Sequence, residues 1–333
     1  MCIRDRRATY TPQHLHIGGL LTDQYYDRTD RPDAVTGGVR MIPITTPLGT
    51  FNVWTKRIGN NSALKVLLLH GGPGGTHDYF EAFDSFLPAG RVEYYYYDQL
   101  GLGRSDNPAD QRMWDLDRFV DEVEQVRSAL ELGPDNFVLL GHSWGGILAM
   151  EYALKHGDEL KGLVISNMMS SVPAYNRYAT DILMPAMNQD DLAEILKIES
   201  AKDFANPRYM ELLVRSYYVD HIVRMNPVPE PVTYSFALLN QDLYQTMQGP
   251  SELGISREAS LASWDRTDDL QFITTPTLVL GGRHDTMDPK FLETMAARLP
   301  RGSCYICENG SHMAMYDDQE AYFGALLDFL SSL

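Results

Sequence analysis

From residue 39 onward, apolar positions fall into two alternating patterns. Runs at 64–69, 92–97, 136–140 and 160–165 are almost continuously aliphatic or aromatic, as expected of strands buried on both faces of a parallel sheet. Between them Leu116, Phe119, Val120, Val123, Val126 and Leu130 recur three and four residues apart, the stripe of an amphipathic helix. Residues 39–44 and 50–55 flank Pro47-Leu48-Gly49 and read as an antiparallel strand pair. After Asn167 the alternation stops. Residues 168–263 are rich in Tyr and Met and are broken by Pro185, Pro207, Pro227, Pro229 and Pro231; they read as an inserted helical cap. A strand returns at 276–281, followed by a helix at 291–298, a strand at 301–307 and a last helix at about 320–330.

Strands and helices in alternation predict an α/β fold, a mostly parallel central sheet with helices on both faces. The core is expected at 37–167 and 264–333, with the cap at 168–263. Residues 1–36 show no periodicity and are expected to be a poorly structured leader.

Composition narrows the possibilities. The 333 residues are 44% hydrophobic and 22% charged, with a net charge of −17. That balance suits a globular domain and argues against a nucleic-acid or anionic-membrane surface, which needs a basic patch. The sequence has no apolar run of spanning length and no apolar signal segment near its start, so a cytoplasmic protein is expected; oligomeric state is not legible. Cys304 and Cys307 stand three apart in a predicted strand, where such positions face opposite ways. They are read as ordinary thiols, and neither a metal nor a cofactor is expected.

The chemistry centres on Gly141-His142-Ser143-Trp144-Gly145. This G-x-S-x-G pattern sits where a predicted strand turns into a helix, the context that exposes a nucleophilic serine. A serine hydroxyl needs a base, and the base an orienting acid. The two loops after the last predicted strands supply Asp285 and His312, in the chain order Ser…Asp…His of such enzymes. Asp288 is the rival acid, but it precedes Pro289 and reads better as a helix cap. His70 reads as a brace for the glycine-rich loop His70-Gly71-Gly72-Pro73-Gly74-Gly75. His142, next to the nucleophile, is expected to turn its side chain away. For the oxyanion, the amide of Trp144 and that of Gly72 are the candidate donors, with Gly71 the alternative to Gly72.

The motifs His70-Gly71-Gly72-Pro73-Gly74, Asp98-Gln99-Leu100-Gly101-Leu102-Gly103-Arg104-Ser105 and Gly141-His142-Ser143-Trp144-Gly145-Gly146 resemble those of proline iminopeptidases. Gly282…Asp285…Pro289 and Gly310-Ser311-His312 extend the likeness, in the same order, over about residues 39–333. The resemblance implies the α/β-hydrolase fold, a triad of Ser143, Asp285 and His312, and a serine exopeptidase that frees an N-terminal proline or small apolar residue from short peptides. It also implies an acidic side chain for the substrate's α-amine, and Glu252 in Gly249-Pro250-Ser251-Glu252 matches the segment that carries one. Two positions depart from the pattern. Leu100 stands where many members have arginine. Thr286 stands where some place a second amine-binding glutamate, with Glu230, Asp220 or Asp242 as possible replacements. Of the cap aromatics Tyr175, Tyr178, Tyr209, Tyr217, Tyr218, Tyr234, Phe236 and Tyr244, two or three are expected at the pocket. The alternative functions are an esterase, lactonase or amidase acting on a small-molecule amide or ester, or a non-catalytic ligand receptor of the same fold.

Overall fold

The computed structural model describes residues 25–27 and 37–333. The expected leader at 1–36 lies outside the described residues apart from 25–27. There the buried Tyr25 donates its hydroxyl hydrogen bond to the carbonyl of Val92 at 2.8 Å. The described strands are β1 (Val39–Thr46), β2 (Gly49–Ile58), β3 (Lys65–Leu69), β4 (Glu93–Asp98), β5 (Phe137–His142), β6 (Gly162–Ser166), β7 (Thr277–Gly282) and β8 (Gly302–Cys307). They form one sheet in the order 1-2-4-3-5-6-7-8. β1 with β2 and β2 with β4 are antiparallel; every later pairing is parallel.

The inner strands β3 to β7 are buried almost throughout because both faces are covered. Leu67, Leu69, Tyr95, Tyr97, Phe137 and Leu139 point into one apolar cluster, shared with α1 (Leu116–Ala129) and α2 (Trp144–His156). Their neighbours Val66, Leu68, Tyr94, Tyr96, Val138 and Leu140 point into a second cluster on the other face. Period-two alternation thus survives inside runs that look uniformly apolar. Asp115 caps α1 by accepting from the Arg118 amide, which fixes where that helix starts.

Between β6 and β7 the chain leaves the sheet and forms α3 (Val172–Tyr178), α4 (Gln189–Ser200), α5 (Pro207–Leu213), α6 (Glu230–Ala237) and α7 (Gln241–Met247). Side chains of Ser171, Asn188, Asn206 and Asn240 cap α3, α4, α5 and α7. Leu192, Ile195, Tyr209, Leu212, Leu213 and Tyr217 make a separate small core there. This segment is tied to the β3 loop: Asn240 donates its amide to the Gly74 carbonyl at 2.9 Å, and Ser235 its hydroxyl to the Thr76 carbonyl at 3.2 Å. After β7 come α8 (Pro289–Arg298), β8 and α9 (Gln319–Ser331). The chain runs from β3 outward to β4 and then back past β3 to β5. The crevice at the carboxyl ends of β3 and β5 is the place where such sheets carry their sites.

Candidate active site

Ser143 begins α2 directly after β5, with φ 56° and ψ −126°. That backbone is costly for a residue with a β-carbon and is held by what surrounds it. A β-carbon on Gly141 would lie 1.9 Å from the Gly145 carbonyl oxygen, and one on Gly145 would lie 2.1 Å from that of Leu69. The turn is therefore as tight as the strand–helix motif requires, and glycine at these two positions is a steric necessity. The Ser143 amide is spent on the Ser166 carbonyl at 3.0 Å.

His312 follows β8 and lines the same cavity as Ser143. Its Nδ1 lies 2.8 Å from Asp285 Oδ1. The second oxygen of Asp285 accepts from Asn167 Nδ2 at 2.7 Å, and Asn167 also donates to the Ser311 carbonyl at 3.1 Å. Burial works against ionising Asp285, but the His312 charge and hydrogen bond, with Asn167 behind them, hold its carboxyl below the usual range. Burial likewise works against charging His312 and is outweighed by Asp285, with Glu252 adding to it, so the imidazole is raised above its ordinary value. Asp288 is the N-cap of α8 and accepts from the Lys290 amide at 3.0 Å. Asp285 and not Asp288 faces the histidine.

The β3 loop presses against the nucleophile. A β-carbon on Gly71 would stand 2.9 Å from Ser143 Cβ and 3.3 Å from its Oγ. The Gly71 amide donates to the Tyr79 hydroxyl at 2.7 Å, whereas the Gly72 amide has no acceptor among the described residues. The Trp144 amide, at the first helical position, has no intrahelical partner either. His70 braces the loop as expected: its Nδ1 meets the Gly71 carbonyl at 3.0 Å and its Nε2 accepts from the Gln99 amide at 3.2 Å.

His142 corrects an expectation. Its side chain does not turn away but lies under the site, its ring centroid 4.9 Å from that of His312. The reason is a chain of hydrogen bonds. Tyr79, having accepted from Gly71, donates to His142 Nδ1 at 2.9 Å, and His142 Nε2 donates to the His312 carbonyl at 2.9 Å. Burial lowers the His142 pKa to about 3, so it stays neutral and keeps one donor and one acceptor nitrogen. Tyr79 and Asn167 have no role in the sequence reading, and Gln99 enters it only within the Asp98–Ser105 motif. Tyr79 lies in a 3-10 segment, His77–Ser85, that has no clear periodicity. Asn167, at φ 52° just past the end of β6, could have been marked as a polar residue at the carboxyl end of a buried strand.

The cavity holds about 480 Å3. Of the eight aromatics considered, Tyr218, Phe236 and Tyr244 line it. Glu252 is the one acidic side chain among its described lining residues; Glu230, Asp220 and Asp242 are all exposed and outside the lining. Thr286 is buried, with its hydroxyl toward Asp285 at 3.3 Å. Glu252 is fixed on every side. Tyr244 donates to its Oε1 at 2.6 Å, Tyr175 donates to its carbonyl at 2.7 Å, and its amide donates to Tyr218 at 3.3 Å. Burial raises its carboxyl above the ordinary value.

A tight serine elbow, with an aspartate–histidine pair on the loops after the last two strands of a sheet in this order, defines an α/β hydrolase. A family model for the alpha/beta hydrolase fold matches residues 65–319. A proline iminopeptidase of Elizabethkingia meningoseptica is 52% identical over 88% of this chain and 98% of its own length. The crystal structure of VinJ is 32% identical, with a TM-score of 0.80, covering 87% of this chain and 98% of that one. A proline iminopeptidase structure from Mycobacterium smegmatis is 27% identical with a TM-score of 0.77, covering 88% and 98%. The chain belongs to the proline iminopeptidase family.

Proposed function

We propose that this enzyme is a serine exopeptidase that releases an N-terminal proline or small apolar residue from short peptides through an acyl-enzyme. Ser143 attacks the carbonyl carbon, and His312 takes its proton and then delivers it to the departing amine. Asp285 keeps the imidazole in the tautomer that leaves Nε2 free to accept. The amides of Gly72 and Trp144 receive the oxyanion; each such fixed donor is worth roughly 3–4 kcal/mol in the transition state. Water enters next, and the same histidine activates it to release the amino acid. Residues 168–263 act as a cap over a core of 37–167 and 264–333, and the separate apolar cluster among the inserted helices supports that division. A cytoplasmic location belongs to the same reading and fits the unpaired thiols of Cys304 and Cys307.

The observation that carries the exopeptidase reading is Glu252, the one acid among the described residues lining the cavity. A carboxylate buried there has use for a cation, and the free α-ammonium of a substrate is one. Removing one partner of such a pair costs about 3–5 kcal/mol. Glu252→Gln is therefore expected to lower kcat/KM for L-proline β-naphthylamide by roughly 10² to 10⁴-fold. p-Nitrophenyl acetate, which has no ammonium, should lose less than about 3-fold. Equal losses on both substrates, or a wild type that prefers N-acetylproline amide to proline amide, would replace the exopeptidase by an esterase or amidase.

A further inference from the structure

The cavity has a polar floor and a mostly apolar mouth, where Thr233 and Gln241 are the exposed polar side chains of the lining. Ser143 and His312, 7% and 4% exposed, lie on the floor, and the carboxyl of Glu252 is held there by Tyr244. The outer wall is made by Met210, Val214, Val219, Val228 and Phe236, all lining the cavity and all between 40% and 48% exposed. These come from α5, the helical turns Val214–Tyr218 and Val219–His221 that continue it, and α6 with the loop before it. Large aliphatic and aromatic side chains gathered in the open around one cavity mark a surface meant to be covered. No lysine or arginine is among the described residues that line it.

Orientation follows from this gradient and rests on the exopeptidase reading. With the ammonium on Glu252 at the floor and the carbonyl at Ser143, the amine side of the scissile bond points outward. We infer that the mouth is the leaving-group subsite, and that it selects prolyl amides and peptides whose second residue is large, apolar and without a free carboxylate. A Pro-X dipeptide would place its carboxylate among mostly apolar side chains with no lysine or arginine to meet it, in the field of Glu252 and of a chain of net charge −17. Desolvating that carboxylate unpaired is costly. An amide-capped or longer substrate puts uncharged groups there and covers the exposed wall.

The experiment is a series of L-proline n-alkylamides, from prolinamide to prolyl octylamide, together with Pro-Leu and Pro-Leu-amide. Each buried methylene is worth up to about fourfold in binding, and at a half-open mouth kcat/KM should rise about twofold per methylene over the first four. Pro-Leu-amide should exceed Pro-Leu by at least about tenfold. In Val219→Lys, a cation at the mouth should narrow that ratio to within about threefold, while the alkylamide slope flattens. Hydrolysis of prolinamide with a flat alkyl series, or with Pro-Leu equal to its amide, would overturn the subsite and leave the exopeptidase standing. No hydrolysis of prolinamide, with N-acetylproline amides cleaved instead, would overturn both. A Val219→Lys protein that leaves the Pro-Leu ratio unchanged would place the leaving group elsewhere and overturn the subsite.

Discussion

At the scale of single residues, His312 feels two carboxylates in different ways. Asp285 bonds its Nδ1, and Glu252 adds to the field that raises its pKa above the ordinary histidine value. In the proposed mechanism His312 must be neutral to accept the Ser143 proton, so activity is expected to fall as pH drops through the raised pKa. For a neutral ester, the acid limb of kcat/KM is expected above pH 6.5, the reference histidine value. Glu252→Gln removes one of the charges that raise it, so the limb should move to lower pH while the plateau stays. For prolyl amides Glu252 must itself be ionised, and burial lifts its carboxyl as well. Their acid limb should therefore be steeper than that of the ester. Profiles of both substrates on wild type and variant test this; an ester limb that does not move would remove Glu252 from the electrostatics of the base.

At the scale of elements, the loop between β7 and α8 gives two aspartates three residues apart opposite duties. Asp285 turns inward to His312 and Asn167, while Asp288 stays at the surface end of α8 and satisfies the Lys290 amide. Losing such a cap costs about 1 kcal/mol of stability. Asp288→Ala should thus lower the midpoint of thermal unfolding by a few degrees and leave kcat/KM within about twofold. Asp285→Asn should keep the fold and lower kcat by about 10⁴-fold, because the amide stabilises the wrong tautomer of the histidine. Thermal melts and turnover on the two proteins separate the roles. Greater loss of turnover from the Asp288 change would exchange the assignments.

At the scale of the whole molecule, the net charge of −17 creates a field that attracts cations before they reach the cavity. A prolyl amide carries one positive charge and p-nitrophenyl acetate none. Raising ionic strength from about 0.02 to 0.5 M shortens the screening length to a few ångströms. The expected result is a fall in kcat/KM of about two- to fivefold for the prolyl amide and no change for the ester. Parallel salt dependence for both would mean that salt acts on the enzyme and not on the approach of the substrate.

The sequence alone determined the features that depend on neighbours along the chain. Burial on both faces makes a strand apolar throughout, so β3, β5 and β6 were visible as runs. A strand–helix turn this tight admits only glycine two positions either side of the serine, so the elbow at Gly141–Gly145 was visible as a motif. Asp288 before Pro289 was legible as a cap for the same local reason. Tertiary structure decided what depends on residues far apart in the chain. It brought Asn167 to Asp285 across 118 positions and His142 to the His312 carbonyl across 170. It gave the Gly71 amide to Tyr79 and left the Gly72 amide without an acceptor among the described residues. It left Glu252 at the floor of the cavity and Asp220, Glu230 and Asp242 in solvent. Hydrogen-bond partners of buried polar groups are set by how strands and loops meet in space, and no periodicity along the chain records that meeting.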